Sequence, residues 1–102
     1  MKIMKIGIPK EVMNNEVRVP VSPAGVEALV KVGHTLVMES GAGLGRGFAD
    51  EEYLAAKAQL VSTAAEVWKN AEMVMKVRKP QPSEQGYFHE DLVVRYQARG
   101  IS

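Results

Sequence analysis

The 102-residue sequence has no cysteine, which excludes a disulfide framework and a thiolate active site. Neither sign of charge is in large excess, because 13 Lys and Arg stand against 12 Asp and Glu and the net charge is +1. That balance provides no electrostatic surface for nucleic acid or for an anionic membrane. The apolar runs are strand-sized and no signal peptide precedes them, so we expect a cytoplasmic protein without a nucleic-acid or membrane partner.

The residues that are present have the composition of an ordinary globular protein, with 46% hydrophobic and 25% charged residues. Short apolar runs alternate with helical stretches, which is typical of βαβ units that join into a parallel sheet. The length suffices for one core and not for two. We therefore predict a single α/β domain over residues 1–102, with three layers and a mainly parallel sheet.

Local signals give the boundaries of the predicted elements. The Ser-Pro pair at residues 22–23 is typical of a helix start, and Gly33 is typical of a helix end. Acidic residues begin a second predicted helix over residues 50–58, and residues 63–66 have the spacing of a capping box that begins a third. Strands are predicted at residues 3–8, 35–39, 59–61, 73–77 and 92–96.

A glycine-rich segment, residues 41–47, follows the second predicted strand and invites comparison with a dinucleotide site. The G-x-G-x-x-G fingerprint fails in both frames, because Arg46 and Phe48 stand where the last glycine belongs. The next helix also begins at Asp50, whose carboxylate would repel a phosphate. We interpret the segment as a surface connection.

Two cations are candidates for a ligand site. Lys76 interrupts an apolar strand, so it either has an anionic partner or is an exposed strand end, because an unpaired buried charge is costly. Arg18 either binds an anion or forms a surface ion pair with Glu11 or Glu16. Both cations fall on the carboxyl side of the sheet, where open α/β folds bind ligands.

Other polar and aromatic residues are weaker candidates. His34 and His89 are far apart and have no carboxylate at ligand spacing, so no metal site is predicted. We expect His34 to face solvent at a turn and His89 to have a structural role in a loop. Trp68 is expected to lie in the core.

Three sets of segments carry a family resemblance. They are residues 5–11 with 14–19 (K-I-G-I-P-K-E and N-N-E-V-R-V), residues 22–26 with 33–34 and 39–45, and residues 65–68 with 71–77. Their order and spacing resemble the N-terminal region of alanine dehydrogenases and of the related proton-translocating transhydrogenase α subunits. The resemblance covers about residues 3–94.

The resemblance implies an NAD-dependent oxidoreductase of alanine catabolism that converts L-alanine to pyruvate and ammonium. It implies a Rossmann-like or flavodoxin-like substrate domain, a separate domain for NAD, and a homo-oligomer. Arg18 and Lys76 match the family positions that bind the substrate. A guanidinium can grip a carboxylate with two parallel hydrogen bonds, and an ammonium can pair with that carboxylate or polarise the adjacent carbonyl.

The sequence departs from the family pattern after Val94. The family continues with an aromatic-threonine-tyrosine-leucine-histidine run whose histidine is the catalytic acid/base, and Ala98 stands at that position here. We therefore expect no catalytic residue, no NAD-binding domain and no bound cofactor in this chain, which would be inactive alone. A reading-frame change, a truncation or a short paralogue would each explain the difference. A non-catalytic binding module, or a piece of a transhydrogenase α subunit, is the alternative function.

Overall fold

The computed structural model describes residues 3–12 and 18–96 of the chain. Within those ranges five strands alternate with three α-helices, as the sequence pattern predicts. The strands are β1 (Lys5–Ile8), β2 (Thr35–Glu39), β3 (Gln59–Val61), β4 (Met73–Lys76) and β5 (Val93–Tyr96), and the helices are α1 (Pro23–Val32), α2 (Asp50–Ala55) and α3 (Ala64–Asn70). Two 3₁₀-helices, Leu44–Arg46 and Pro82–Tyr87, precede α2 and β5.

The described strands form one parallel sheet in the order β3-β2-β1-β4-β5. From β1 the chain adds β2 and β3 on one side and then crosses back to add β4 and β5 on the other. The helices α1 and α2 pack together on one face of the sheet. Helix α3 lies on the opposite face, because the right-handed connection from β3 to β4 crosses the sheet in the opposite direction to the earlier connections. The predicted three-layer α/β fold with a parallel sheet is confirmed, and its strand order is Rossmann-like.

Each face of the sheet has its own core, since side chains alternate between the faces along a strand. On the face covered by α1 and α2, Ile8 packs with Val26 and Tyr53, and none of the three is more than 1% exposed. On the face covered by α3, Trp68 and Val74 are fully buried together. The predicted core position of Trp68 is confirmed.

Gly7 lies in the central strand at the point where α3 approaches the sheet. A Cβ atom at this position would lie 2.8 Å from Cβ of Ala71 and 2.8 Å from Cγ1 of Val67. Carbon atoms in contact prefer a separation of about 3.5–4.0 Å. The absence of a side chain therefore allows α3 to pack directly against β1.

The ends of α1 and the start of α3 follow their sequence signals. The hydroxyl of Ser22 accepts a hydrogen bond from the Gly25 amide at 3.2 Å, and Gly33 ends α1 with a φ of 118°. At the start of α3, the hydroxyl of Thr63 accepts from the Glu66 amide at 3.3 Å and donates to the Glu66 carboxylate at 3.1 Å. These caps confirm the predicted boundaries.

The end of α2 differs from the prediction. The helix ends at Ala55, so the expectation that it continues to Ala58 is wrong. Lys57 adopts a φ of 79°, and the Ala58 amide turns back to donate to the Tyr53 carbonyl at 3.0 Å. The longest described helix, α1, has 10 residues, and none of the described helices is long and apolar enough to cross a membrane.

Candidate functional site

The strand order reverses between β1 and β4, which creates a crevice at the carboxyl edge of the sheet. The chain leaves β1 toward β2 and later returns through β4 on the other side of β1. Connections that follow the two neighbouring strands therefore diverge. Open α/β sheets bind their ligands at such a switch point.

A cleft of about 550 Å³ opens at this edge, within the range of roughly 300–1,000 Å³ typical of small-molecule sites. Arg18 and Lys76, the two residues predicted to bind substrate, both line it. The remaining wall is formed by Val19, Pro20, Arg46, Met75, Val77, Arg95 and Tyr96. The structure thus brings both predicted residues to one cleft, while residues 14–17 of the same motif lie outside the described residues.

The ammonium of Lys76 lies between two carboxylates. Its Nζ is 3.0 Å from Oε1 of Glu11 and 3.2 Å from Oε2 of Glu84. The other carboxylate oxygens accept backbone hydrogen bonds, from the Val77 amide to Glu11 at 2.8 Å and from the Gln81 amide to Glu84 at 2.9 Å. This cluster joins the end of β4 to the connections that follow β1 and β4.

The cluster is almost completely buried. The side chains of Lys76, Glu11 and Glu84 are 0%, 5% and 2% exposed, so the alternative of an exposed strand end is wrong for Lys76. Lys76 forms part of the cleft wall, but a ligand can reach its Nζ only if neighbouring side chains move. Oε2 of Glu84 lies within ion-pair distance of Lys76 Nζ, but it accepts no hydrogen bond of suitable geometry from any described residue. Two carboxylates more than offset one ammonium, so Lys76 adds little positive potential to the cleft.

Positive potential in the cleft comes from three arginines on different elements. Arg18 follows β1, Arg46 ends the first 3₁₀-helix, and Arg95 lies in β5. Of the described residues that line the cleft, none is acidic. The side chains of Arg46 and Arg95 form no hydrogen bond or ion pair with any other described residue. The cleft is therefore suited to a small anion.

Sequence reasoning missed several residues of this site. It showed that a buried Lys76 needs an anionic partner, but the spacing associates Glu11 with Arg18 rather than with Lys76. Glu84 stands in a polar stretch without periodicity, and only the fold brings its carboxylate to Nζ. Arg46 lies in the segment interpreted as a surface connection, and Arg95 lies beyond the point where the family pattern ends. None of these residues has a local sequence signal for a role in the site.

The glycine-rich segment forms a turn that is closed by Asp50. The Asp50 carboxylate accepts hydrogen bonds from the Ser40 hydroxyl and from the Gly41 amide, the latter at 2.9 Å. Both bonds lower the pKa of Asp50 below its ordinary value, and the bond from Ser40 contributes more than the bond from Gly41. The Asp50 carboxylate thus occupies the Gly41 amide, a backbone donor that a bound phosphate would need. The segment does not fit the pyrophosphate of NAD.

Both histidines have structural contacts. His34 is half-buried, and its Nδ1 accepts a hydrogen bond from the Met4 amide at 3.0 Å, so the expectation that it faces solvent is wrong in part. Nε2 of His89 lies 3.2 Å from the carbonyl oxygens of Trp68 and Ala71 at the end of α3. In the part of the chain that the structure describes, no three potential metal ligands come together.

Comparison with known sequences gives a consistent result. The family described as "Alanine dehydrogenase/PNT, N-terminal domain" matches residues 7–98. The alanine dehydrogenase of Methanococcus maripaludis is 52% identical over 91 residues, which are 89% of this chain and 24% of that protein. The alanine dehydrogenase of Bacillus subtilis is 50% identical over the same shares of the two chains. This chain thus spans about a quarter of the length of the curated relatives it matches.

Solved structures agree with the sequence comparison. An L-alanine dehydrogenase superposes with a TM-score of 0.88 and 45% identity, over 91% of this chain and 26% of that chain. A transhydrogenase from Sinorhizobium meliloti superposes with a TM-score of 0.82 and 36% identity, over 89% of this chain and 27% of that chain. Sequence and backbone similarity therefore cover most of the chain.

Proposed function

Since this chain belongs to the family of alanine dehydrogenase/PNT N-terminal domains, we propose that it is the substrate-binding portion of an NAD-dependent alanine dehydrogenase. In this proposal residues 1–102 form the N-terminal part of the substrate domain, and NAD binds to a domain outside them. The complete enzyme converts L-alanine, NAD and water to pyruvate, ammonium and NADH. The observation that carries the proposal is that Arg18 and Lys76 line one cleft at the switch point of the sheet.

The chemistry of the cleft supports binding of a 2-oxo or amino acid. The planar guanidinium of Arg18 can make two parallel hydrogen bonds to a carboxylate. Lys76 can donate to the same carboxylate or to the adjacent carbonyl oxygen once a ligand displaces part of its pairing with Glu84. Apolar side chains of Val19 and Met75 line the cleft beside these cations and strengthen polar contacts by excluding water.

A titration with pyruvate tests this proposal. With residues 1–102 alone, amide resonances at the carboxyl edge of the sheet should shift in a saturable manner, although weakly, because the proposed NAD domain is not included and cannot close over the ligand. Arg18→Gln should lower the affinity about ten-fold by removing the charge-assisted hydrogen bonds. Lys69→Gln, which removes an exposed charge in the last turn of α3, is the matched control and should have no effect. Equal affinity in the wild type and Arg18→Gln would refute the assignment.

We propose that these 102 residues do not catalyse the redox reaction alone. Hydride transfer requires a bound nicotinamide, and the glycine-rich segment does not fit its pyrophosphate. Ala98, which stands at the position of the family's catalytic histidine, lies outside the described residues. A preparation free of host enzymes should produce no NADH absorbance from L-alanine and NAD. Turnover in such a preparation would contradict this part of the proposal.

A portion of a transhydrogenase α subunit, or another non-catalytic module, is the second candidate. The structural similarity to the Sinorhizobium meliloti transhydrogenase, although lower than that to the alanine dehydrogenase, supports it, and such a chain needs no catalytic histidine. The pyruvate titration separates the first candidate from a module that does not bind a 2-oxo acid, since such a module would give no saturable shifts at the cleft.

We further propose that the protein forms a homo-oligomer in the cytoplasm. Within the described part of the sheet β5 is an edge strand, and Val93 and Tyr96 are each 46% exposed. Free backbone groups at such an edge can pair with a second chain, and a net charge of +1 opposes association only weakly. Light scattering should show a mass that rises with concentration, and a constant monomeric mass would contradict self-association.

A further inference from the structure

Arg18, the residue proposed to bind the substrate carboxylate, lies in the connection between β1 and α1, and this connection is held to the rest of the domain on both sides of Arg18. On the side of α1, the Tyr53 hydroxyl donates to the Val21 carbonyl at 2.9 Å. On the side of β1, the Glu11 carboxylate is 5% exposed and accepts a hydrogen bond from the Val77 amide at 2.8 Å. Arg18 therefore belongs to a segment that is held at both ends.

The contact made by Glu11 spans a gap between two strands. The ladder between β1 and β4 ends at the pair of Gly7 with Val74, whereas the ladder between β1 and β2 continues to the end of β1. Strand β4 extends beyond that last pair to Lys76. The cleft opens where the ladder has ended, and the Glu11 carboxylate connects its two sides in place of backbone hydrogen bonds.

The two carboxylate oxygens of Glu11 have separate partners at the end of β4. Oε2 accepts from the Val77 amide, and Oε1 accepts from Lys76 Nζ at 3.0 Å. Both partners line the cleft. Replacement of Glu11 leaves Lys76 paired with Glu84 at 3.2 Å, so the ammonium keeps a counter-ion. The main consequence of the replacement therefore concerns the position of the connection that contains Arg18.

We propose that Glu11 is a positioning residue of the substrate site, which holds the connection containing Arg18 against the end of β4. The proposal rests on the proposed function, because Glu11 acts through Arg18 on the carboxylate of the 2-oxo acid. Pre-organisation of this kind favours binding, since the conformational entropy of the segment is lost on folding and not when the ligand binds.

Pyruvate titrations of the wild-type chain and of Glu11→Ala, followed by NMR, test the proposal. The dissociation constant should rise about five-fold in Glu11→Ala, as expected when a few side chains must be ordered on binding. Glu11→Gln keeps the length of the side chain and one acceptor, so its dissociation constant should rise only about two-fold. The fluorescence of Trp68 shows whether each variant is folded, and Glu11→Gln provides the comparison if Glu11→Ala is not.

Glu72→Ala is the matched control. The Glu72 carboxylate accepts a hydrogen bond from the Lys5 amide at 2.8 Å, so it also links the chain beside β4 to β1, but at the amino edge of the sheet and outside the cleft. Its affinity for pyruvate should equal that of the wild type. Equal losses of affinity in Glu72→Ala and Glu11→Ala would overturn the positioning role, because any weaker contact between β1 and β4 would then have the same effect.

A double-variant cycle tests whether Glu11 acts through Arg18. In the Arg18→Gln background, Glu11→Ala should change the dissociation constant by less than about two-fold, because the guanidinium that it positions is gone. A full additional loss in that background would overturn the proposal. Unchanged affinity in the folded Glu11 variants, with saturable binding by the wild type, would overturn it and leave the proposed function standing. Absence of saturable binding by the wild type would overturn both.

Discussion

The two walls of the cleft hold their charged groups in opposite ways. The inner wall is the buried group of Glu11, Lys76 and Glu84, of which only Lys76 lines the cleft itself. Its side chains are at most 5% exposed, two carboxylates hold one ammonium, and both carboxylates accept hydrogen bonds from backbone amides. On the outer wall, formed by Arg46 and Arg95, exposed guanidinium groups have no partner among the described residues. The difference is one of burial and pairing: the inner wall links the connections at the switch point through buried ion pairs, and the outer wall leaves two guanidinium groups exposed at the cleft.

The largest expected effect comes from removing the shared cation of the inner wall. Lys76→Met leaves two buried carboxylates without their counter-ion, and we expect the free energy of unfolding to fall by about 3–5 kcal/mol. Urea unfolding followed by the fluorescence of Trp68, the single tryptophan, measures the change. Arg95→Gln on the outer wall should change the same quantity by less than about 0.5 kcal/mol.

A triple variant separates charge from packing. Adding Glu11→Gln and Glu84→Gln to Lys76→Met removes the uncompensated charges and keeps side chains of similar size. Much of the lost stability should return. If Lys76→Met and Arg95→Gln had equal effects on stability, the contrast between the walls would not hold.

The next effect concerns the strand that supports the inner wall. Gly7→Ala places a Cβ atom 2.8 Å from side-chain carbons of Ala71 and Val67, so β1 and α3 must move apart. We expect a loss of about 1–3 kcal/mol in the free energy of unfolding. Gly86→Ala is the comparison, because an added Cβ there has no other heavy atom within 4 Å. Similar losses in both variants would mean that the close approach of α3 is unimportant.

The smallest effect concerns Tyr53, which supports the connection after β2, where Arg46 of the outer wall lies. Its hydroxyl donates to the Val21 carbonyl at 2.9 Å, and its ring contacts Gly43. Burial, with a contribution from the charge of Glu52, raises the pKa of Tyr53 from 10.0 to about 12. The raised pKa disfavours the phenolate in the folded state. The stability that the neutral Tyr53 phenol contributes is therefore complete below pH 10 and is lost as the pH rises through about 12.

Tyr53→Phe should therefore lower the free energy of unfolding by about 1 kcal/mol at neutral pH, through loss of one hydrogen bond. Urea titrations of both proteins at a series of pH values provide the comparison. The wild type should lose more stability than Tyr53→Phe between pH 10 and 12. Parallel pH profiles would show that the Tyr53 phenol does not contribute.

Features encoded within a few residues could be predicted from the sequence. Ser22 and Gly33 bound α1 because a cap acts on amides within one turn of itself, and β2 has the predicted bounds. The end of α2 could not be predicted in this way. Its composition permits helix to Ala58, but the chain must turn at Lys57 to enter β3 beside β2.

The candidate site could be predicted from the sequence only in part, because some of its residues reach the site through the path of the folded chain and have no local signal. Arg18 and Lys76 were found because an anion site needs such cations at the carboxyl edge of a sheet, and because the family resemblance marks them. Glu84 forms its ion pair with Lys76 across the connection from β4 to β5, and the path of that connection is set by packing rather than by local signals. Arg46 reaches the cleft from the connection after β2, so its position depends on the strand order.

The central claim is that the cleft at the ends of β1 and β4 binds the carboxylate of a 2-oxo acid through Arg18. A crystal structure of this chain with pyruvate tests it most directly. We expect the pyruvate carboxylate in the cleft with its oxygens about 2.7–3.2 Å from the Arg18 guanidinium nitrogens. Pyruvate bound at another surface, with an empty cleft at the same ligand concentration, would contradict the claim.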